Sequence, residues 1–253
     1  MSSELFDLTG EVAVVTGAGR GIGEGIAKVL AEHGAHVVCA ARRTEEIERV
    51  AGEIVAANGS AIACTTDVTD DASVQNLADT AIREFGSLDM WVNNAGGSAV
   101  QSPLVDLPRE EWDRTIALNL TAVWVCSAIA AKAMNGSGRI VNISSLAAED
   151  VIPGSGHYAA AKAGVNIMTR QLAVELGPKG IRVNGIMPGA VPTEIMMQAL
   201  NLKNDDLPGL EKMLRLPAGR LGTPRDLGAA ALYFLSPATE WVTGQVLRVS
   251  GGP

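Results

Sequence analysis

Short apolar runs alternate with longer helix-like segments along the whole chain, and this alternation restricts the possible folds more than any other feature. The apolar runs are continuous, as in strands that are buried on both faces of a sheet. A helical segment after each strand is typical of a parallel sheet with helices packed on it. The predicted strands are residues 12–15, 37–40, 61–65, 90–93, 139–143, 182–186 and 245–249.

These elements predict an α/β fold, specifically a single-domain Rossmann fold with a doubly wound, seven-stranded parallel sheet and helices on both faces. A chain of 253 residues with 47% hydrophobic residues is long enough for one large α/β domain. Because no break in composition divides it, we expect one domain over residues 1–253. The predicted helices are residues 25–32, 45–58, 72–85, 111–134 and 158–176.

Residues 191–222 depart from this alternation. They contain several prolines and glycines beside an apolar group of Ile195, Met196, Met197 and Leu200. A surface loop with a short helix would account for this composition. A mobile lid would account for it equally well, because methionine side chains adapt to the shape of an apolar ligand. Both interpretations remain open at this point.

Composition excludes several classes of partner. The net charge is −8 and there is no basic block, so neither nucleic acid nor an anionic membrane surface is an expected partner. Three scattered cysteines and the absence of a secretory pattern favour a reduced, cytoplasmic protein. The three histidines form no ligand cluster, so no metal site is expected. The longest apolar candidate, residues 121–131, is too short to span a bilayer.

A glycine-rich segment follows the first strand and opens the first helix. Glycines at this point allow a tight turn and let the backbone approach a pyrophosphate, which rests on the helix N-terminus. In a strand–loop–helix unit of this length the motif is specific. It predicts a dinucleotide-binding site at Gly17, Gly19, Arg20, Gly21, Ile22 and Gly23.

The end of the second strand indicates which nicotinamide dinucleotide the site binds. A carboxylate there would bind the ribose hydroxyls of NAD, but the chain has Ala41 followed by Arg42 and Arg43. With Arg20 from the glycine-rich segment, these guanidinium groups suit the 2′-phosphate of NADP. The arginines could instead simply solvate the start of a helix. The sequence favours NADP(H) over NAD(H).

Tyr158 and Lys162 are four residues apart on a predicted helix and therefore share one face of it. A phenol has a pKa of about 10, which a neighbouring ammonium and a positive nicotinamide ring would lower. The pair thus suits a residue that moves a proton near neutral pH. Tyr-x-x-x-Lys alone arises often by chance, so its meaning depends on the rest of the chain.

With the glycine-rich segment, Asn93-Asn94-Ala95-Gly96, Ser145 and the Tyr158/Lys162 pair in this order, the chain resembles the short-chain dehydrogenase/reductase family over essentially its whole length. The resemblance implies a catalytic tetrad of Asn119, Ser145, Tyr158 and Lys162. The family's spacing to the tyrosine selects Ser145 over Ser144. The resemblance places further cofactor contacts at Asp67, Val68, Asn94, Ala95, Gly96, Tyr158, Lys162, Pro188, Gly189, Val191 and Thr193.

The family also implies a role for each member of the tetrad. Tyr158 would donate or accept the proton, and Ser145 would hydrogen-bond the substrate oxygen. Lys162 would bind the cofactor ribose, and Asn119 would anchor a water that links Lys162 to solvent. The resemblance further implies a homotetramer built on the two long helices.

We therefore expect an NADP(H)-dependent oxidoreductase that interconverts a ketone and a secondary alcohol. Residues 217–222 and 158–164 look like 3-oxoacyl-carrier-protein reductases. Residues 94–97, 145–149, 184–186 and 236–242 look more like bacterial 7α-hydroxysteroid dehydrogenases. A non-catalytic NADP-binding regulator on the same fold is an alternative of another class, which the intact tetrad disfavours because such a protein needs no proton donor.

Overall fold

The computed structural model describes residues 4–252 and contains one seven-stranded parallel sheet with the strand order β3-β2-β1-β4-β5-β6-β7. The strands are β1 Val12–Thr16, β2 His36–Ala41, β3 Ser60–Thr65, β4 Met90–Asn93, β5 Gly138–Ile143, β6 Ile181–Pro188 and β7 Val246–Val249. The order reverses between β1 and β4, which creates a crevice at their carboxyl ends. The predicted doubly wound Rossmann fold is confirmed.

The helices cover both faces of this sheet. They are α1 Gly21–Glu32, α2 Thr44–Ala56, α3 Asp71–Phe85, α4 Arg109–Ile116, α5 Ala122–Ala133, α6 Gly156–Leu176, α7 Glu194–Ala199, α8 Leu207–Leu214 and α9 Pro224–Leu235. One hydrophobic cluster joins α1, α2 and α9 to the sheet, and a second joins α3, α5 and α6 to its other face. α1 begins four residues earlier than predicted, because the glycine-rich turn leads directly into it.

The helix predicted over residues 111–134 is continuous but not uniform. A π-helical turn, Ala117–Thr121, separates α4 from α5. Such turns locally widen a helix and are frequent at functional sites. The combined helix, Arg109–Ala133, is 25 residues long and apolar enough to cross a membrane by length and composition. This corrects the expectation from the sequence that its apolar segment is too short to span a bilayer. Core helices of soluble proteins meet the same criteria, and α5 packs on α3 and β4.

Helix α9 is an element that the sequence analysis overlooked. Its start carries a capping box, in which Asp226 N–H donates to Thr223 Oγ1 and Thr223 N–H donates to the Asp226 carboxylate. Pro224 occupies the first helical position, where its missing N–H is not needed. These local features would have predicted the helix. It lies so close to α1 that a Cβ on Gly25 would collide with the Pro224 carbonyl.

A buried chain of polar side chains connects the central strands to α6. Trp91 Nε1 donates to Asn93 Oδ1 at 2.7 Å, and Asn93 Nδ2 donates to Asn142 Oδ1 at 2.8 Å. Asn142 Nδ2 in turn donates to Thr169 Oγ1 in α6 at 2.9 Å. Buried polar groups with satisfied hydrogen bonds favour a single packing arrangement. The orientation of α6 relative to β4 and β5 is therefore fixed.

The segment of residues 191–222 contains two short helices, α7 and α8, and a 3₁₀ turn between them. Ile195, Met196 and Met197 are half-buried, whereas Leu200 is exposed. The short helices agree with both interpretations of this segment, and the lid stays a prediction.

Candidate active site

The crevice at the switch point is held together by hydrogen bonds between the ends of β1 and β4. Thr16 Oγ1 donates to the Val92 carbonyl and accepts from the N–H groups of Asn94 and Ala95, each at 3.0 Å. Asn94 Nδ2 donates to the Thr16 and Gly17 carbonyls at 2.8 and 3.2 Å. Asn94 and Ala95, which were predicted to contact a cofactor, thus also build one wall of the crevice.

The glycine-rich segment forms a turn that suits a bound pyrophosphate. Gly17 and Gly21 have φ angles of +65° and +56°, which other residues adopt only with strain. A Cβ on Gly23 would collide with the Gly17 carbonyl, so the turn can be this tight only with glycine there. In the described part of the chain, the N-cap residue Arg20 makes no side-chain capping bond to α1. The first N–H groups of the helix are then left for an anion, and the segment fits the phosphates of a dinucleotide.

The three arginines expected to bind a 2′-phosphate have different surroundings. Arg20 forms an ion pair with Glu194, the first residue of α7. Arg43 forms one with Glu46 at 2.8 Å, three residues further along the chain. Arg42 is exposed and has no ion-pair partner among residues 4–252. The structure therefore brings the arginines to the same end of the crevice, but two of them already face carboxylates.

Asp67 and Val68 follow β3, beside this end of the crevice. Asp67 Oδ1 accepts hydrogen bonds from the Thr69 N–H at 2.9 Å and from Thr69 Oγ1 at 2.7 Å. These bonds, with a smaller contribution from Arg42, hold the pKa of Asp67 below its usual value. Val68 is buried. A fixed loop with a buried apolar residue suits the expected contact with an adenine ring.

Tyr158 lies near the start of α6 and faces Ser145, which follows β5 by two residues. Burial raises the pKa of the Tyr158 phenol, and the neighbouring Ser145 side chain offsets part of this rise. Lys162 is not among the causes of this shift, so the expected lowering of the Tyr158 pKa by Lys162 is not found in the polypeptide alone. The neighbouring Ser144 hydroxyl donates instead to the Lys162 carbonyl at 3.1 Å, so Ser145 is the serine that the structure places at the tyrosine.

Lys162 and Asn119 lie on either side of Gly96. The Lys162 side chain is only 3% exposed, and its Nζ donates to the Ile143 carbonyl at 2.8 Å. Burial lowers the pKa of Lys162 to about 8. A Cβ on Gly96 would lie 2.8 Å from Asn119 Oδ1 and 3.4 Å from Lys162 Nζ, so glycine keeps the space between them open.

Asn119 owes its position to the π-helical turn. Its Nδ2 donates to the Thr115 carbonyl at 3.0 Å and to the Gly97 carbonyl at 3.2 Å, and its Oδ1 accepts from the Gly97 N–H at 2.7 Å. The side chain is completely buried. Asn119 therefore fixes the loop after β4 in addition to the proton-relay role that the family implies.

The end of the crevice where the resemblance places the nicotinamide is formed after β6. Pro188 ends β6, and the Gly189 N–H donates to the Val249 carbonyl at 2.9 Å. Val191 is buried, and Thr193 caps α7 through its hydroxyl. A Cβ on Gly21 would lie 3.2 Å from Thr193 Cγ2, so the start of α7 rests directly on the glycine-rich turn.

Two carboxylates at this site were not among the predicted residues. Glu46 lies three residues after Arg43, the N-cap residue of α2, and this spacing predicts an ion pair. Glu194 had no local pattern that could have revealed its contact with Arg20. In residues 4–252 no group of three or more His, Cys, Asp or Glu side chains could hold a metal ion. The expectation of no metal site stays a prediction.

Comparisons with known proteins identify the family of this chain. The family model described as enoyl-(acyl carrier protein) reductase matches residues 17–253. The 7α-hydroxysteroid dehydrogenase of Escherichia coli (strain K12) is 40% identical over 254 residues, covering 99% of this chain and 97% of that protein. A 3-oxoacyl-[acyl-carrier-protein] reductase of Chlamydia muridarum is also 40% identical, covering 97% of this chain and 98% of its own length.

Solved structures show the same relationship. A 7α-hydroxysteroid dehydrogenase in complex with NADH and 7-oxoglycochenodeoxycholic acid has a TM-score of 0.92 at 40% identity, covering 100% of this chain and 97% of its own. A gluconate 5-dehydrogenase of Burkholderia cenocepacia, in complex with NADP and tartrate, has a TM-score of 0.90 at 34% identity. It covers 99% of this chain and 98% of its own. The chain therefore belongs to the short-chain dehydrogenase/reductase family and is an NAD(P)-dependent oxidoreductase acting on CH–OH groups.

Proposed function

We propose that the protein is an NADP(H)-dependent oxidoreductase that interconverts an apolar ketone and its secondary alcohol, with Tyr158 as proton donor and acceptor. The contact between Ser145 and Tyr158 carries this proposal. It puts the two hydroxyl groups beside each other, so that both can meet one carbonyl oxygen. The bound nicotinamide would supply or accept the hydride.

Each residue of the tetrad has a separate role in the proposed reaction. Ser145 hydrogen-bonds the substrate oxygen and holds it beside the Tyr158 hydroxyl. Tyr158 donates its proton to that oxygen during ketone reduction and takes it back during alcohol oxidation. Lys162 binds the ribose and places a positive charge beside the phenol. Asn119 holds Gly97 and anchors the water through which Lys162 exchanges protons with solvent.

The preference for NADP(H) rests on the end of β2. Ala41 offers no carboxylate to the ribose hydroxyls, and the exposed Arg42 is available to a 2′-phosphate. Glu46 and Glu194 face the other two arginines, so NADP(H) must compete with these carboxylates for Arg43 and Arg20. The preference therefore depends mainly on Arg42. One related structure contains NADH and another NADP, so both cofactors occur on this fold.

Charge on the surface favours an apolar small molecule over an acyl-carrier-protein substrate. An acidic carrier would need a cationic docking face, for which the chain offers Arg109 and Arg114 on α4 and Lys132 on α5. Arg109 pairs with Asp113 at 2.7 Å, and Arg114 pairs with Glu111. Both arginines are thus compensated by carboxylates on their own helix, which leaves the single cation Lys132.

A screen at saturating NADPH would test the proposed reaction. It would compare a 7-oxo steroid, a 3-oxoacyl thioester without and with its carrier protein, and a keto sugar acid. We expect the 7-oxo steroid to give the highest kcat/KM and the carrier protein to add nothing to the thioester. Turnover of the carrier-bound thioester alone would assign the protein to the acyl-carrier class.

The assembly we propose is a homotetramer of a cytoplasmic protein. The two long helices expose apolar side chains: Trp124 is 55%, Ile167 62% and Val174 74% exposed. Trp241, before β7, is completely exposed and offers a second apolar site. Two separate apolar faces are what a dimer of dimers requires. Sedimentation equilibrium would test the tetramer, and Ile167→Asp should dissociate it into smaller species.

A further inference from the structure

His157, which precedes Tyr158 in α6, is completely buried and contacts the loop between β4 and α4. Its Nε2 lies 3.1 Å from Ser98 Oγ. The same hydroxyl lies 3.4 Å from the Val100 carbonyl, to which it can only donate. Ser98 Oγ therefore accepts from an Nε2–H group, and His157 is in the neutral tautomer that carries its proton on Nε2.

The surroundings of His157 keep it neutral. Within residues 4–252, its Nδ1 is buried and has no hydrogen-bond partner. An unpaired lone pair is tolerable there, whereas a protonated ring would bury a charge and a second N–H without an acceptor. Burial lowers the pKa of His157. Among charged groups facing it, Glu111 raises this pKa and Arg114 lowers it. Both lie on α4 and form an ion pair with each other.

The loop that His157 holds lies between the tetrad and the proposed lid. Ser98 follows Gly97, whose N–H donates to Asn119 Oδ1 at 2.7 Å. On its other side, a Cβ on Gly97 would lie 2.8 Å from Cδ1 of Ile195 in α7. The loop is thus held by Asn119 from the π-helical turn and by His157 from α6. Any displacement of Ser98 would move the surface on which Ile195 rests.

We propose that His157 is a positioning residue: through Ser98 it fixes residues 97–100 relative to Tyr158. It thereby fixes the surface against which the lid rests when it covers the substrate. The inference rests on the proposed function for the role of Tyr158 and of the lid. His157 touches neither the substrate nor the cofactor in this scheme. Its effect should therefore appear in substrate fit and turnover more than in cofactor binding.

Three variants test this role. His157→Phe keeps a planar ring and removes the donor, Ser98→Ala removes the acceptor, and His157→Gln keeps an N–H donor of similar reach. We expect His157→Phe and Ser98→Ala each to lower kcat/KM for the ketone about tenfold, the scale of one buried hydrogen bond. The Kd for NADPH should stay within about twofold because the neighbouring expected cofactor contacts, Asn94 and Ala95, are held by Thr16 and not by Ser98. His157→Gln should restore most of the loss.

A double-mutant cycle and hydrogen exchange separate positioning from general destabilisation. If His157 acts through Ser98, the double variant should be no worse than either single variant. Amide exchange in residues 97–102 should rise in both single variants when no substrate is present. A matched control is His36→Phe. His36 lies at the start of β2, away from the site, and its ring stacks on that of Phe85 with the ring centroids 5.0 Å apart. It should leave kcat/KM and exchange in the loop unchanged.

Additive losses in the cycle would overturn the proposal. So would unchanged loop exchange in Ser98→Ala, the mildest variant, which tests the idea even if His157→Phe does not fold. If Tyr158→Phe is fully active, the proposed function fails, but increased loop exchange would still support the contact between His157 and Ser98. If Tyr158→Phe is inactive and loop exchange is unaffected, only the positioning role fails.

Discussion

Lys162 Nζ lies 5.7 Å from the centre of the Tyr158 ring and donates its hydrogen bond to the Ile143 carbonyl, not to the phenol. Both side chains are desolvated, which raises the pKa of Tyr158 and lowers that of Lys162 to about 8. The polypeptide by itself therefore keeps Tyr158 as a neutral phenol at neutral pH. A neutral phenol is the form that can donate a proton to a ketone.

Tyr158→Phe should abolish most turnover while leaving NADPH binding intact. The substitution keeps the ring and removes only the hydroxyl, so turnover should fall by about 10² or more, the scale of general acid–base catalysis. Steady-state kinetics and a fluorescence titration with NADPH would measure the two effects. Tyr233, the other tyrosine of the chain, lies in α9 outside the site, and Tyr233→Phe should retain full activity. High activity in Tyr158→Phe would exclude it as the proton donor.

Lys162→Met should remove activity and weaken NADPH binding, but it should not destabilise the fold at neutral pH. The pKa of Lys162 is about 8 in the folded protein against an ordinary value of 10.5. The unfolded chain therefore binds this proton more tightly, and stability falls as the pH drops from about 10.5 to about 8 and stays lowered below that. Replacing Lys162 with methionine removes this penalty, which is at most about 3 kcal/mol. The gain is offset by a cost of about 1–3 kcal/mol, because the Ile143 carbonyl loses its hydrogen-bond donor.

Urea unfolding at pH 7.5 and pH 10 would check this prediction. The stability of the variant relative to the wild type should decrease by about 2 kcal/mol between the two pH values, because the wild type regains stability as the pH rises above the folded-state pKa of Lys162 toward its ordinary value of 10.5. Lys132→Met, at an exposed position near the end of α5, should show no such change. A stability difference that does not depend on pH would contradict burial of the ammonium.

Ala41→Asp with Arg42→Ala should reverse the cofactor preference. In the wild type we expect NADPH to bind at least about tenfold tighter than NADH, or about 1.4 kcal/mol. A carboxylate at position 41 would repel the 2′-phosphate of NADPH and accept hydrogen bonds from the ribose hydroxyls of NADH. Fluorescence titration with both cofactors measures the change, with Arg83→Ala on α3 as a surface control. Equal binding of NADH and NADPH by the wild type would refute the preference.

Residues 191–222 should gain protection from hydrogen exchange when NADPH and a bulky ketone are bound together. Closure would bury Ile195, Met196 and Met197, which contributes roughly 25 cal/mol for each Å² of apolar surface covered. It would also exclude water from the reaction. Peptides from β4 and β5 serve as the internal control, since the buried strands should be protected throughout. Strong protection of residues 191–222 in the free protein would show a fixed wall instead of a lid.

Much of the fold was predictable because its determinants are local. Continuous apolar runs identified all seven strands, and the bounds of β4 agree at both ends. Helix ends agree less well, since they depend on capping and neighbouring loops more than on periodicity. The capping box at Thr223 is also local, so α9 was predictable from the sequence as well.

The fold class, the glycine-rich turn and the spacing of Ser145, Tyr158 and Lys162 follow from the amino-acid sequence. The pairing of Arg20 with Glu194, the contact of His157 with Ser98 and the raised pKa of the buried Tyr158 follow only from the folded arrangement. The physical reason is distance along the chain. Periodicity and turn chemistry act between near neighbours, whereas charge pairing and desolvation depend on which distant segments the fold brings together.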